Sequence, residues 1–406
     1  MKTFQISRSL VFCCATALVL GFAWTPLSAE EPTTKENGSD EQKAGAEPDP
    51  YAVPDGDASA LIEFIEKVES IRPSSQSEYI EILQKRPPAV LAAVDRILSG
   101  KPTDAQVLTA VKAKLSSLRM LGYVDPTAQD KIKQFVNSLS KNKVPGVAEV
   151  VFQFDLVTRV RRWERLSADA KAKVQSDLIG LLSRTKFAPE QVGLAVQVAQ
   201  AIENMGDPAE ASAMYSKLAT AFLKSNNEKI IGLGKSFEPM IRRLNLPGNP
   251  IEINGSLLDG STFDWPSYKG KVVLVDFWAT WCGPCVQELP NVVANYELYH
   301  DKGFDVVGIS LDSDKSKVQE FVDNRKIPWA ILYSDDPRAN GWNHPTAVYY
   351  GIAGIPTVIL VNQQGKVVSL NARGPELGKQ LEKLLGKAEA VDDPANSQKA
   401  EGKTKS

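Results

Sequence analysis

The sequence predicts a multidomain chain: an all-α helical-hairpin domain over residues 57–245, followed by an α/β domain with a mixed sheet over 246–387. Two observations carry that reading. Apolar residues recur at helical spacing with hardly any strand signal through the first region, whereas apolar runs of strand length alternate with helical segments through the second. Proline and glycine breaks punctuate both regions. The 406 residues carry a formal charge of −2, which gives no reason to invoke nucleic acid.

The chain opens with a targeting pattern over 1–29. Lys2 and Arg8 precede the apolar stretch Leu10–Trp24, and Ser28-Ala29 offers a small-residue cleavage site. This reads as a secretory signal peptide, and a large Leu27 near the cut leaves retention as a membrane anchor as the alternative. Residues 30–56 are expected to be a disordered acidic linker, because 30–55 hold eight acids against two lysines and almost nothing apolar to bury. The last stretch, 388–406, has a similar Lys/Glu/Ala/Ser composition and is expected to be a disordered tail.

Within 57–245, Leu61, Ile62, Ile65 and Val68 form one apolar stripe. Val107, Val111, Leu115 and Leu118 form a second, and Leu178, Leu181 and Leu182 belong to a third. Breaks at Pro73, Pro87-Pro88, Gly100-Lys101-Pro102, Asp125-Pro126, Pro145-Gly146, Pro189 and Asp207-Pro208 divide the region into about eight or nine helices. Residues 206–215 resemble one helix start of a tetratricopeptide-like (TPR-like) hairpin, although no fixed-period repeat aligns along the region. Arg159, Arg161, Arg162 and Arg165 read as a solvated basic face.

The second domain unfolds in order. A hairpin over 251–264 turns at Asp259-Gly260, and a strand follows over 271–278. A helix from Cys282 to about His300 leads into a strand from Phe304 to Leu311. Lys315 to Arg325 is helical, Ile331 to Tyr333 adds a short strand, and Pro345 to Tyr350 a helical turn. Thr357–Val361 and Lys366–Leu370 pair antiparallel around Gln364-Gly365, and a helix from Pro375 to Leu385 closes the domain.

Chemistry concentrates at Trp281-Cys282-Gly283-Pro284-Cys285, which holds two of the four cysteines. A cysteine at a helix start is favoured as thiolate by the orphan N–H groups and partial positive charge there, so Cys282 is the natural nucleophile. Cys285, one turn on, is placed to resolve a mixed disulfide. Gly283 lets the backbone approach closely, and Pro284 sits where its missing N–H costs nothing. The bland alternative is half of a zinc site, but His300 and His344 supply no paired ligand spacing, so no metal is expected. Outside the leader these are the only cysteines, in a compartment where disulfides persist, and the redox-active pair replaces any bound cofactor.

Asp276 interrupts the apolar run Val272–Trp278. A carboxylate on a strand buried on both faces has its pKa raised by desolvation, which makes Asp276 a candidate proton acceptor for the resolving thiol; the alternative is a hydrated strand end. Glu288, one turn beyond Cys285, either tunes the thiols electrostatically or faces solvent.

Residues 275–285, Val-Asp-Phe-Trp-Ala-Thr-Trp-Cys-Gly-Pro-Cys, resemble the active-site segment of the thioredoxin superfamily. Pro290 matches that fold's helix-kinking proline, and Gly354-Ile355-Pro356-Thr357 resembles its cis-proline loop. Within the superfamily the chain is most similar to the TlpA/ResA-like group of extracytoplasmic thiol-disulfide oxidoreductases, through 270–275, Cys-x-x-Cys-x-x-Glu-x-Pro and Val307–Asp312. It departs from many of that group at Asp276, where aspartate is more typical of thioredoxin itself. The resemblance implies a thioredoxin-like fold and an enzyme that reduces protein disulfides, with Trp281, Ile355, Pro356 and Thr357 bordering the substrate groove. It implies clients such as apocytochrome c or copper-site proteins, a membrane electron donor and a periplasmic or otherwise extracytoplasmic location. Two alternatives remain: a peroxiredoxin-like peroxidase, with Thr280 ahead of the thiol, and a helical scaffold or adaptor carrying an accessory redox domain.

Overall fold

The computed structural model describes residues 49–388 other than Gly206. The leader, most of the acidic linker and the tail beyond 388 lie outside the described residues, and with them the expectations for cleavage and anchoring. Among the described residues no helix is long and apolar enough to cross a membrane. The chain forms two compact units that divide between Arg162 and Trp163, inside the helical region rather than at its end.

The first unit holds α1 (Ala58–Ser70), α2 (Gln76–Ser99), α3 (Asp104–Leu121), α4 (Ala128–Ser138) and α5 (Val147–Val160). Leu61, Ile65 and Val68 of α1 bury against Val90, Ala93, Val94 and Ile97 of α2, as the apolar spacing predicts. Two expectations need correction. Residues 49–56 are not a disordered stretch: Tyr51 and Val53 pack on that same cluster, and Arg96 Nη1 donates to the Pro54 carbonyl at 2.8 Å. These are among the few apolar residues of the linker, and they find a surface to cover. Nor do Pro87 and Pro88 break a helix, for α2 runs through both. The pair forfeits backbone donors, but the buried face on either side, from Ile82 to Ile97, outweighs that loss. In the basic stretch, Arg159 pairs with Asp155 at 2.8 Å.

The second unit begins with α6 (Ala168–Arg184), α7 (Pro189–Met205), α8 (Pro208–Phe222), α9 (Glu228–Lys235) and α10 (Glu238–Leu244). Asp207 caps α8 by accepting from Ala209 N–H, and Pro208 fits in its first turn. The α/β region that follows is tied to α10. Arg242 Nη1 donates to the Tyr349 carbonyl (2.7 Å), while Arg243 donates to the Tyr350 carbonyl (3.2 Å) and to Glu203 (2.6 Å). Gly351, at φ +60°, lets the two backbones meet, because a Cβ there would lie 2.8 Å from Met240 N.

Five strands form the sheet: β1 (Val272–Trp278), β2 (Phe304–Ser310), β3 (Ala330–Leu332), β4 (Thr357–Val361) and β5 (Val367–Ser369), in the order β3-β2-β1-β4-β5. β1, β2 and β3 run parallel, and β4 is antiparallel to both β1 and β5. This is the mixed sheet the alternation predicts. Four helices complete the region: α11 (Gly283–Tyr299), α12 (Lys315–Arg325), α13 (Pro345–Tyr349) and α14 (Pro375–Leu385). Side chains of β1 bury on both faces: Leu274 joins a cluster with Val306, Leu360 and Leu377, and Val275 one with Val307, Ile309 and Ile359.

The expected hairpin at 251–264 is present but short: Gly260 N–H bonds Leu257 O at the turn, Leu257 N–H bonds Ser261 O and Phe263 N–H bonds Gly255 O, with a single antiparallel bridge, Ser256 to Thr262, between the arms. Its first arm also lies along the edge of β3, where Leu258 N–H bonds Ile331 O and Tyr333 N–H bonds Ser256 O. Covering an open edge satisfies backbone groups that a free hairpin would leave bare. The opposite edge is covered likewise, by Gly248 and Asn249 on Val367.

Candidate active site

The site forms where β1 delivers the chain into α11. Leu311 N–H holds the Trp278 carbonyl at 2.8 Å, Cys282 N–H bonds Ala279 O, and Cys282 becomes the N-cap of the helix. Its Sγ accepts from the Cys285 N–H at 3.2 Å, so the sulfur occupies the place an oxygen takes in an ordinary cap. Cys282 and Cys285 are joined as a disulfide, with Cα atoms 5.2 Å apart. Both residues are largely buried, whereas Trp281 beside them is 57% exposed. The Trp281 ring leans on that of Trp342, with centroids 6.1 Å apart.

Asp276 stands in register between Gly308 of β2 and Val358 of β4. The residue keeps some exposed surface, but its Oδ1 is buried with no hydrogen-bond partner. Burial pushes its carboxyl up to about 7; the like charge of Glu288 adds to that rise and Arg373 opposes it. Glu288 is turned inward, where its Oε1 accepts from Gly374 N–H (2.7 Å) and from Asn291 Nδ2 (2.8 Å).

The Ile355–Pro356 peptide bond is cis. Ile355 packs against the same buried cluster as both cysteines, and Thr357 Oγ1 donates to the Gly354 carbonyl at 2.7 Å. The chemistry this set can perform is thiol-disulfide exchange: an N-capping sulfur as attacking thiolate, a second thiol one turn away, and a carboxylate that titrates near neutral pH.

Comparison with known proteins agrees. The Redoxin family model matches residues 246–385. The thiol-disulfide oxidoreductase ResA of Bacillus thuringiensis subsp. konkukian is 31% identical over 132 residues, which are 32% of this chain and 70% of that protein. The chain belongs to the TlpA/ResA-like branch of the thioredoxin superfamily. ResA of Halalkalibacterium halodurans is also 31% identical, over 29% of this chain, and there the match spans 62% of the relative, just under two thirds. A solved thioredoxin domain of a thiol-disulfide oxidoreductase from Bacteroides vulgatus is 31% identical, with 34% of this chain and 97% of that one covered at a TM-score of 0.32. The match to this branch falls wholly in the second unit.

Three residues of the site escape sequence reasoning. Asp312, 2% exposed, accepts from Thr280 N–H (3.0 Å), Thr280 Oγ1 (2.6 Å) and Ser310 Oγ (2.9 Å), and so holds the loop that carries Trp281. Gly341 N–H bonds the Asp312 carbonyl, which sets the short turn bearing Trp342. Arg373 Nη1 donates to the Pro356 carbonyl at 3.0 Å. Asp312 ends a motif that only the family resemblance singles out; an isolated loop arginine and tryptophan give no signal of their own.

Proposed function

We propose that this chain is an exported thiol-disulfide oxidoreductase that reduces disulfides in protein clients. The observation that carries the reading is the Cys282–Cys285 disulfide at the start of α11, with the Cys285 N–H on the Cys282 sulfur. In the reduced enzyme that N–H and the helix terminus favour the Cys282 thiolate. The thiolate attacks one sulfur of a client disulfide; a mixed disulfide forms and the client's other sulfur leaves as thiolate. Asp276 accepts the proton of Cys285, whose thiolate then attacks Cys282 Sγ, closing the intramolecular disulfide and releasing the second client thiolate. Two electrons pass to the client for each disulfide formed. A dithiol donor, at the membrane in this reading, restores the reduced pair.

Trp281, Ile355, Pro356 and Thr357 border the client groove. Family resemblance favours apocytochrome c or copper-site cysteines as clients, and the signal-like segment over 1–29 favours an extracytoplasmic location. The helical hairpins, TPR-like in the 206–215 stretch, suit a role in client selection or assembly.

With insulin as model disulfide and dithiothreitol as donor, Cys282→Ser is expected to abolish turnover, while Cys285→Ser accumulates a mixed disulfide visible on non-reducing gels. Turnover retained by Cys282→Ser would end the proposal.

A further inference from the structure

Arg373 lies in the turn between β5 and α14, and the mechanism above gives it no task. Its guanidinium bridges two acceptors, the Asn371 side chain through Nε (3.1 Å) and the Pro356 carbonyl through Nη1 (3.0 Å). The next residue, Gly374, bonds in the other direction. Its N–H donates to Glu288 Oε1 at 2.7 Å, and its carbonyl accepts from Asn291 Nδ2 at 3.2 Å. Gly374 has φ +54°, a conformation that suits glycine. Two consecutive residues therefore fasten the cis-proline loop on one side and the active-site helix on the other. Those are the two elements between which a client disulfide must enter.

We propose that Arg373 is a positioning residue of the disulfide site, one that ties the Pro356 loop to the turn gripping Glu288 and opposes the charge of Glu288 at Asp276. The inference rests on the reading of Asp276 as proton acceptor for Cys285. Two charged side chains act on Asp276 electrostatically. Glu288 comes from α11 and Arg373 from the turn before α14, and the register partners on β2 and β4, Gly308 and Val358, carry no charge. In the reduced enzyme the thiolates of Cys282 and Cys285 add negative charge. A guanidinium favours the ionised carboxylate and Glu288 disfavours it, so removing either must move the acid in opposite directions.

The test is the resolving step in the mature full-length protein. Reduced enzyme mixed with 5,5′-dithiobis(2-nitrobenzoate) releases one thionitrobenzoate as Cys282 forms the mixed disulfide and a second as Cys285 resolves it. The rate of the second release is followed from pH 5 to pH 9. Arg373→Met is expected to move the midpoint of that profile upward by about half a unit or more, and Glu288→Gln to move it downward. Arg373→Gln, which removes the charge and the reach to Pro356 but keeps a polar donor near Asn371, is expected to shift the midpoint as Met does. It also serves if the Met variant fails to fold. An unmoved midpoint in Arg373→Gln would overturn the inference. Asp276→Asn separates the two readings: if that variant keeps the wild-type profile, the proton-acceptor reading fails, whereas if it loses the midpoint and the Arg373 variants do not, only the inference fails.

Discussion

Two aspartates lie at the same end of neighbouring parallel strands and are built for opposite ends. Asp312, just past β2, is 2% exposed, and its carboxylate meets three donors, two from Thr280 and one from Ser310. Asp276, within β1, has a buried Oδ1 that meets none. A buried carboxylate ringed by donors is a fixed anchor, whereas one left short of partners is poised to take a proton. The comparison teaches that burial alone does not separate an acid fixed as a charge from one poised to hold a proton. The count of donors does, and that count is set by side chains arriving from other elements.

The largest expected effect comes from Asp276→Asn. Because the native carboxyl holds its proton up to about 7 while the unfolded chain releases it near the ordinary 3.8, the native state binds more protons across that interval. Stability therefore falls as pH rises from about 4 to about 7 and levels off above. Relief of the buried charge should stabilise the oxidised protein at pH 8 by up to about 4 kcal/mol, and by less at pH 5. Urea unfolding of both proteins at the two pH values checks this, and an equal gain at both would mean that Asp276 does not carry the burden.

Asp312→Ala should act in the reverse sense. Deleting the acceptor orphans a backbone N–H and two hydroxyls, and the cost is expected near 3 kcal/mol. The loop from Thr280 to Cys282 loses its anchor with it, so insulin turnover should fall as well. Asp312→Asn, which keeps an acceptor oxygen for the Thr280 N–H, should recover part of both. Wild-type stability in Asp312→Ala would erase the contrast between the two aspartates.

What was legible in the sequence follows the same division. The cysteine pair and Asp276 were readable because each is a local pattern, a helix start and a strand, whereas the cis-proline loop was readable only through the family resemblance. The strands β1 and β4 and the helices α11, α12 and α14 fall where apolar spacing places them. The hairpin around Asp259-Gly260 is shorter than its apolar pattern suggests because its outer edge is taken up by β3, distant in sequence. Pro87-Pro88 did not break α2 because packing against α1 rewards a continuous helix. Asp312 and Arg373 stayed hidden for a related reason. Their partners, Thr280 and Pro356, lie in other loops, and only the folded register brings them together.

The smallest effect is the most discriminating, and it concerns Thr280. Its hydroxyl donates to Asp312 Oδ1 at 2.6 Å, while its backbone N–H lies 3.3 Å from the same oxygen and 3.0 Å from Oδ2. Thr280→Val removes the hydroxyl at nearly constant shape and leaves the N–H in place, so Asp312 keeps a donor from this loop. The expected loss is about 1 kcal/mol of stability, the worth of one hydrogen bond with its acceptor still satisfied, and turnover on insulin within about twofold of wild type. That outcome fits a threonine whose task is to hold the loop. A tenfold or larger fall in turnover without a matching loss of stability would mean that the hydroxyl acts on the reacting sulfur. It would then revive the peroxidase alternative, in which a threonine ahead of the thiol takes part in the chemistry, and hydrogen peroxide consumption by the reduced protein would become the measurement that decides.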